Sequence, residues 1–318
     1  MPPSVSVVIP VYRGEQSLPQ LLERLHPVLT GRGAPFEIIL VNDDSPDGSW
    51  PVIQELARRW PGVIGVALSR NFGQHNALLC GIRRARHEVI VTMDDDLQHP
   101  PEEAPRLVDG LTDDVDVVYG TPLEERHGWW RDGASVMVKW ALRYVIGAQT
   151  ARHVSAFRAF RTRLRDGFQA YGGPFVSIDV LLSWATTRYG AVPVRHDLRR
   201  LGRSGYNFHK LATHALNLLT GYSVAPLTLA GLIGLAATAF GLAALAFALV
   251  RALIEGTAAP GFLFLTSVIT VFSGTQLFAL GIVGEYLGRM YLRTMERPAY
   301  VVHQETAAAP ALEERKCA

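Results

Sequence analysis

Cysteine is nearly absent. The two present, Cys80 and Cys317, build no disulfide framework, and neither sits in a pair with metal-ligand spacing. Charge of one sign is lacking too: 31 Lys+Arg against 29 Asp+Glu leave a formal net charge of +2, and no long basic run exists, so nucleic acid is not an expected partner. No Gly-x-Gly-x-x-Gly follows a strand-like run and no Gly-x-x-x-x-Gly-Lys-Ser/Thr occurs, so dinucleotide and P-loop ATP chemistry lose their usual cradles. The first ten residues, Met1 to Pro10, lack a basic n-region and a long apolar core; the front of the chain is therefore expected to stay in the cytoplasm.

Apolar residues, at 48% of the 318, are in excess, and the excess is concentrated. Residues 224–250 and 261–284 carry no charge at all. About 20 apolar residues cross a bilayer as a helix, so both runs are expected to span a membrane. Arg199, Arg200, Arg203 and Lys210 precede the first run and Arg289, Arg293 and Arg297 follow the second, whereas residues 251–260 hold Arg251 as their one basic residue. This bias puts both ends inside and the short loop outside. The expected order is a cytoplasmic domain over 1–206, a juxtamembrane helix over 207–223, spans at 224–250 and 261–284 around an external loop, and a cytoplasmic tail over 285–318. Beyond His303 the tail, rich in Ala, Glu and Pro, is expected to be disordered.

Ahead of the spans, strand and helix patterns alternate. Strands are expected at 4–10, 36–41, 63–68, 88–93 and 116–119, and helices at 18–29, 50–60, 76–86 and 102–110. Such alternation predicts an α/β fold with a doubly wound, mostly parallel sheet, whose ligands sit beyond the carboxyl ends of the strands. Two acidic clusters fall at those ends, Asn42–Asp47 and Asp94–Asp96. The stretches 129–146 and 207–222 are amphipathic; each fits either a core-packing surface helix or one lying in the membrane interface.

A bare Asp-x-Asp is often only a solvated turn. Directly after a buried strand, Asp94 and Asp96 can instead share one hard divalent cation, Mg2+ or Mn2+, completed by phosphate oxygens and water. Asp43, also at a strand end, suits a uracil N–H or a ribose hydroxyl, while Asp47 suits the start of the next helix. His75 and His99 lie near the expected site, but each fits a hydrogen-bonded structural role better than that of a ligand. Gly284-x-x-x-Gly288 fits close helix packing, a loop or a helix end.

Four segments carry a resemblance: Val5–Tyr12, Ile39–Gly48, Arg70–His75 and Asp94–Glu103. Together they resemble a family 2 glycosyltransferase of the GT-A fold. Gly284–Tyr291 and Arg297-Pro298 extend the likeness past the spans, to the bacterial polyprenyl-phosphate glycosyltransferases. Among these the chain most resembles the undecaprenyl-phosphate formamido-arabinose type, which shares Gly73-Gln74-His75. The resemblance implies an inverting, metal-dependent transfer of one sugar from a nucleotide sugar, UDP-linked, to a polyprenyl phosphate at the bacterial inner membrane, by a multi-pass homo-oligomer. It implies that Pro10, Tyr12, Glu15 and Asp43 line the nucleotide, that Asp94 and Asp96 hold phosphates and metal, and that Gln98 lies near the donor sugar. It further implies that Arg126, Arg131, Arg199 and Ser204 meet the acceptor phosphate.

Two departures stand out. Where the family carries an Asp shortly before Phe157-Arg158, this chain has Arg152-His153-Val154-Ser155; and the family's Lys after Ser204 is Gly205. A sugar-hydroxyl acceptor needs a general base, but a lipid monophosphate is largely dianionic near neutrality and needs only positioning and relief of repulsion. Arg152 suits that task better than an Asp would. The alternatives are a membrane-anchored nucleotide-sugar-binding scaffold without activity and a transferase with a hydroxyl acceptor.

Overall fold

The computed structural model describes residues 1–122, 154–173, 175–197, 220–255 and 262–306. They fall into two compact units, one of residues Met1–Ala212 with Arg297–Ala318 and one of Thr213–Glu296.

The first unit is built on strands β1 (Val5–Val11), β2 (Phe36–Asn42), β3 (Val63–Leu68), β4 (Val89–Thr92), β5 (Val117–Pro122), β6 (Arg158–Arg161), β7 (Tyr189–Val194) and β8 (Val302–Glu305). Helices α1 (Ser17–Gly31), α2 (Ser49–Arg59), α3 (Gln74–Arg84), α4 (Ala104–Asp109) and α5 (Ile178–Ala185) connect or follow them. The sheet order is β7-β5-β6-β4-β1-β2-β3-β8. β3, β2, β1 and β4 run parallel, as do β5 and β7, while β6 and β8 pair antiparallel with their neighbours. The result is the mixed, mostly parallel α/β sheet that the alternating pattern predicts.

Burial follows the period of two that a pleated strand imposes. Val5, Val7, Ile9 and Val11 of β1, with Ile38 and Leu40 of β2, pack with α1, α2 and α4. Val8, Ile39 and Val41 face the other way, onto α3 and α5. Both faces are covered, which is why the central strands β1 and β2 are apolar at nearly every position rather than alternating; the two interior exceptions, Ser6 and Glu37, are buried and hydrogen-bond each other at 2.8 Å. Leu18, Leu21, Leu22, Leu25 and Leu29 give α1 its single buried stripe. At Gly81 of α3 a Cβ would lie 2.3 Å from Val8 Cγ1, so glycine is what lets this helix settle on β1.

Three strands have little local signal. β6 is Arg-Ala-Phe-Arg, charged at both ends. β7 contains Gly190 and Pro193, tolerated because it is an edge strand. β8 is Val-His-Gln-Glu, from the tail expected to be disordered beyond His303. That expectation fails for Gln304 and Glu305. The segment covers the edge of β3, with Trp50 Nε1 donating to Gln304 Oε1 at 2.9 Å, Gly65 N to Thr306 Oγ1 at 2.8 Å, and Arg84 pairing with Glu305. Exposed strand edges favour such covering.

The second unit holds α6 (Ala225–Glu255) and α7 (Phe262–Thr294). Tyr286 Oη donates to Ser223 O at 2.6 Å. By length and composition, one helix among the described residues is apolar enough to cross a membrane, over Ala225–Ala243. Gly284 and Gly288 lie inside α7, neither in a loop nor at the helix end. The expected helix at 129–146, and all but the last residues of that at 207–222, lie outside the described residues.

Candidate active site

After β3 the chain adds β4 on the far side of β1, so the strand order reverses between β1 and β4. A crevice opens beyond the carboxyl ends of the strands at such a point. The loops at this end are strained. Arg13 after β1, Asp44 after β2 and Leu97 after β4 have φ of 61°, 52° and 60°, and Gly73 after β3 has 93°. Each such non-glycine residue costs on the order of 1–3 kcal/mol and persists only where its surroundings hold it, a pattern concentrated at functional sites.

The first two loops are stitched together. Gly14 N donates to Ser49 Oγ at 2.9 Å, Gly48 N to Glu15 Oε2 at 3.0 Å, and Ser49 N to Asp47 Oδ1 at 3.2 Å. Asp47 therefore serves the first turn of α2, as the sequence suggests. Pro10 is buried within β1, whereas Tyr12 projects, 48% exposed, with the Arg13 guanidinium over its ring at 5.5 Å.

Asp43 has a task that its position in the sequence does not reveal. Its buried carboxylate accepts the N–H groups of Phe72 and Gly73 at 2.7 and 2.8 Å, and Asn71 Nδ2 donates to its carbonyl at 3.2 Å. Burial raises its pKa; the two backbone N–H bonds oppose this without cancelling it. Asp43 thus clamps the loop after β3, and any further partner must use the lone pairs left beside those bonds.

Asp94, Asp95 and Asp96 follow β4. Gln74 Nε2 donates to Asp94 Oδ1 at 2.7 Å, and Gln98 N to Asp96 Oδ1 at 3.1 Å. Asp95 turns back towards β1, where the N–H of Tyr12 serves it and a Cβ on Gly14 would lie 2.6 Å from its Oδ2. Burial, then its two acidic neighbours, raise Asp95 to about 7. Asp94 and Asp96 are each only partly buried and offer oxygen donors alone, a set that fits a hard divalent cation. Among the described residues no group of three or more His, Cys, Asp or Glu could hold a metal ion, so a cation here would complete its shell with phosphate and water. Gln98 O accepts Asp197 N at 2.8 Å, which fixes the segment after β7 against this loop. His99 is buried between the rings of Phe157 and His196, at 5.0 and 4.9 Å. Its burial, then His196, lower it to about 4 despite the pull of Asp96, so the ring is neutral near pH 7.

Under the end of β4 lies a charged network that sequence reasoning missed. Arg158, fully buried on β6, pairs with Asp179 of α5 and donates to Thr92 Oγ1 at 3.1 Å. Tyr119 Oη also donates to Asp179, at 2.9 Å. A lone carboxylate within Ile-Asp-Val-Leu-Leu was the available signal, since buried acids are rare unless paired. His75 Nδ1 accepts the N–H of Ile178, beside Asp179, at 3.3 Å, giving that histidine a structural partner. Arg126, Arg131, Arg152, Arg199, Ser204 and Gly205 lie outside the described residues.

The glycosyl transferase family 2 pattern matches residues 6–169. The undecaprenyl-phosphate 4-deoxy-4-formamido-L-arabinose transferase of Pseudomonas paraeruginosa is 36% identical over 96% of this chain and 91% of that one. Its counterpart in Aeromonas hydrophila is 33% identical over 98% and 97%. Glucosyl-3-phosphoglycerate synthase from Mycobacterium tuberculosis superposes with a TM-score of 0.49, at 15% identity over 69% of this chain and 78% of that one, a likeness too slight to argue from. With the family pattern over half its length and relatives aligned nearly end to end, the chain belongs to glycosyl transferase family 2.

Proposed function

We propose that this glycosyltransferase moves one sugar, with inversion, from a UDP-linked nucleotide sugar to undecaprenyl phosphate or a similar polyprenyl phosphate at the cytoplasmic face of the membrane. One observation carries the reading: the likeness to lipid-phosphate transferases covers 96% of the chain, the apolar helices included. The uncharged run 261–284 makes α7 a second span beside α6, with the flanking arginines on the cytoplasmic side. The protein works there as a homo-oligomer.

In this reading Pro10, Tyr12, Glu15 and the remaining lone pairs of Asp43 receive the nucleotide, and Gln98 lies beside the donor sugar. Asp94 and Asp96 hold Mg2+ or Mn2+, which when bound neutralises charge on the departing diphosphate. A phosphate oxygen of the lipid attacks the anomeric carbon, and the bond to the diphosphate breaks with its electron pair on the diphosphate oxygen. No proton moves, so the carboxylate missing before Phe157 is not needed. Arg126, Arg131, Arg152, Arg199 and Ser204 draw in and orient the acceptor phosphate, since repulsion between two anions is the barrier that positive charge relieves.

Labelled UDP-sugars offered with undecaprenyl phosphate and Mg2+ or Mn2+ test this. Label is expected in the lipid fraction, and Asp94→Asn or Asp96→Asn should lower the rate at least 100-fold. UDP binding without turnover across a donor panel would instead mark a scaffold. If Arg152→Asp equals or exceeds the native enzyme, the assignment of Arg152 is wrong.

A further inference from the structure

Three consecutive residues at the start of α3 reach three different elements. Gly73 N donates to Asp43 Oδ2 beyond β2, Gln74 Nε2 to Asp94 Oδ1 beyond β4, and His75 Nδ1 accepts the N–H of Ile178 at the start of α5. The outer two contacts fix where the middle one points. Gly73 also starts the helix, its carbonyl accepting Asn76 N and Ala77 N at 3.0 and 3.1 Å. Its φ of 93° is one that a side chain would strain. Gln74 is itself exposed, so its amide is held by this backbone frame and by Asp94, not by packing.

We propose that Gln74 is a positioning residue for Asp94, which sets that carboxylate's rotamer for the divalent cation. This rests on the reading of Asp94 and Asp96 as the cation's ligands. The chemistry of the donor carries the argument. A carboxylate at a strand end turns about χ2 among broad, shallow minima. One short N–H bond to Oδ1 selects a single orientation, 2.7 Å being within the range of charge-assisted bonds. A lysine or arginine there would hold the same oxygen but bring a positive charge to compete with the cation. A glutamate would repel Asp94 or enter the cation's shell itself. The neutral amide orients the carboxylate without bringing a further charge of either sign to the site. Hydrogen bonds to ligating carboxylates are typically worth about 10–100-fold in metal affinity.

The test is Mn2+ binding by the full-length protein with UDP, read from the electron paramagnetic resonance signal of free Mn2+. Gln74→Met keeps length and loses the N–H; Gln74→Lys keeps a donor and adds charge. Both are expected to raise the Mn2+ dissociation constant by about 10–100-fold, Gln74→Lys the more. The thermal midpoint and the donor KM at saturating Mn2+ should stay near the native values. Native Mn2+ affinity in Gln74→Met would overturn the proposal, and so would a weakened affinity accompanied by a matching loss of thermal stability. If the native protein itself binds no Mn2+, or binds it as well after Asp94→Asn, the reading of Asp94 as a ligand fails, and this proposal with it.

Discussion

Replacing Asp179 with alanine should damage the fold more than any surface change. Its side chain is 8% exposed and that of Arg158 2%, so the pair lies wholly inside the protein. Asp179→Ala leaves a guanidinium charge in the core without its paired carboxylate, held by Thr92 Oγ1 and by the more distant charge of Asp94. Removing one partner of a buried pair costs about 3–5 kcal/mol. Tyr119 loses its acceptor in the same step, worth about 1–3 kcal/mol alone. One carboxylate serves both donors, so these terms overlap rather than add, and about 3–5 kcal/mol is the expected total. In a unit of this size 1 kcal/mol moves the midpoint by about 2–4 °C, which gives a fall of roughly 6–20 °C. Thermal unfolding of the full-length protein in detergent, followed by tryptophan emission, reads this directly. Arg158→Met with Asp179→Leu removes both charges and should recover most of the loss, because a buried pair gains little over apolar residues of similar volume. If Asp179→Ala unfolds within about 2 °C of the native protein, or the double variant is no better than the single, then the pair does not hold β6 and α5 as argued.

Other outcomes follow from the same geometry. Folded His99 resists protonation down to about pH 4, whereas an unfolded histidine takes a proton near 6.5. Between those values an unfolded histidine binds more protons, so the contribution of this ring rises with pH across the window and is lost as pH falls from about 6.5 towards 4. Asp95, raised to about 7, acts in the opposite sense over the same range, so the His99 share is read by difference: between pH 7 and 5 the His99→Phe variant should lose about 2 kcal/mol less than the native protein, as a difference in thermal midpoints. Gly81→Ala should cost about 1–3 kcal/mol, since its Cβ would meet Val8 Cγ1 at 2.3 Å, and Val8→Ala in the same chain should restore part of the loss in the same assay. Burial, outweighing the pull of Arg84, lifts the Cys80 thiol to about 11, so in a Cys317→Ser background iodoacetamide at pH 8 should label Cys80 only after denaturation.

Sequence alone determined what a local period can encode. The nearly continuous apolar runs of β1 and β2 specify strands covered on both faces, and the leucine spacing of α1 specifies one buried stripe. Asp94-x-Asp96 reads as a site because it directly follows such a run, and the uncharged stretches read as spans because a charge in lipid is expensive. Tertiary structure alone decided the rest. β6 keeps a charged residue inside only because Asp179, 21 positions away, neutralises it. β8 is a strand only because β3 offers an open edge, and Trp50 meets Gln304 across 254 residues. That Asp43 also accepts the N–H groups of Phe72 and Gly73, and that Gln74 reaches Asp94 at 2.7 Å, is visible only once the loops after β2, β3 and β4 are brought together. Hydrophobic periodicity is written between neighbours in the chain. The pairing of a buried charge or a polar side chain is set by groups that only folding brings together, because their desolvation must be offset by whatever lies next to them in space.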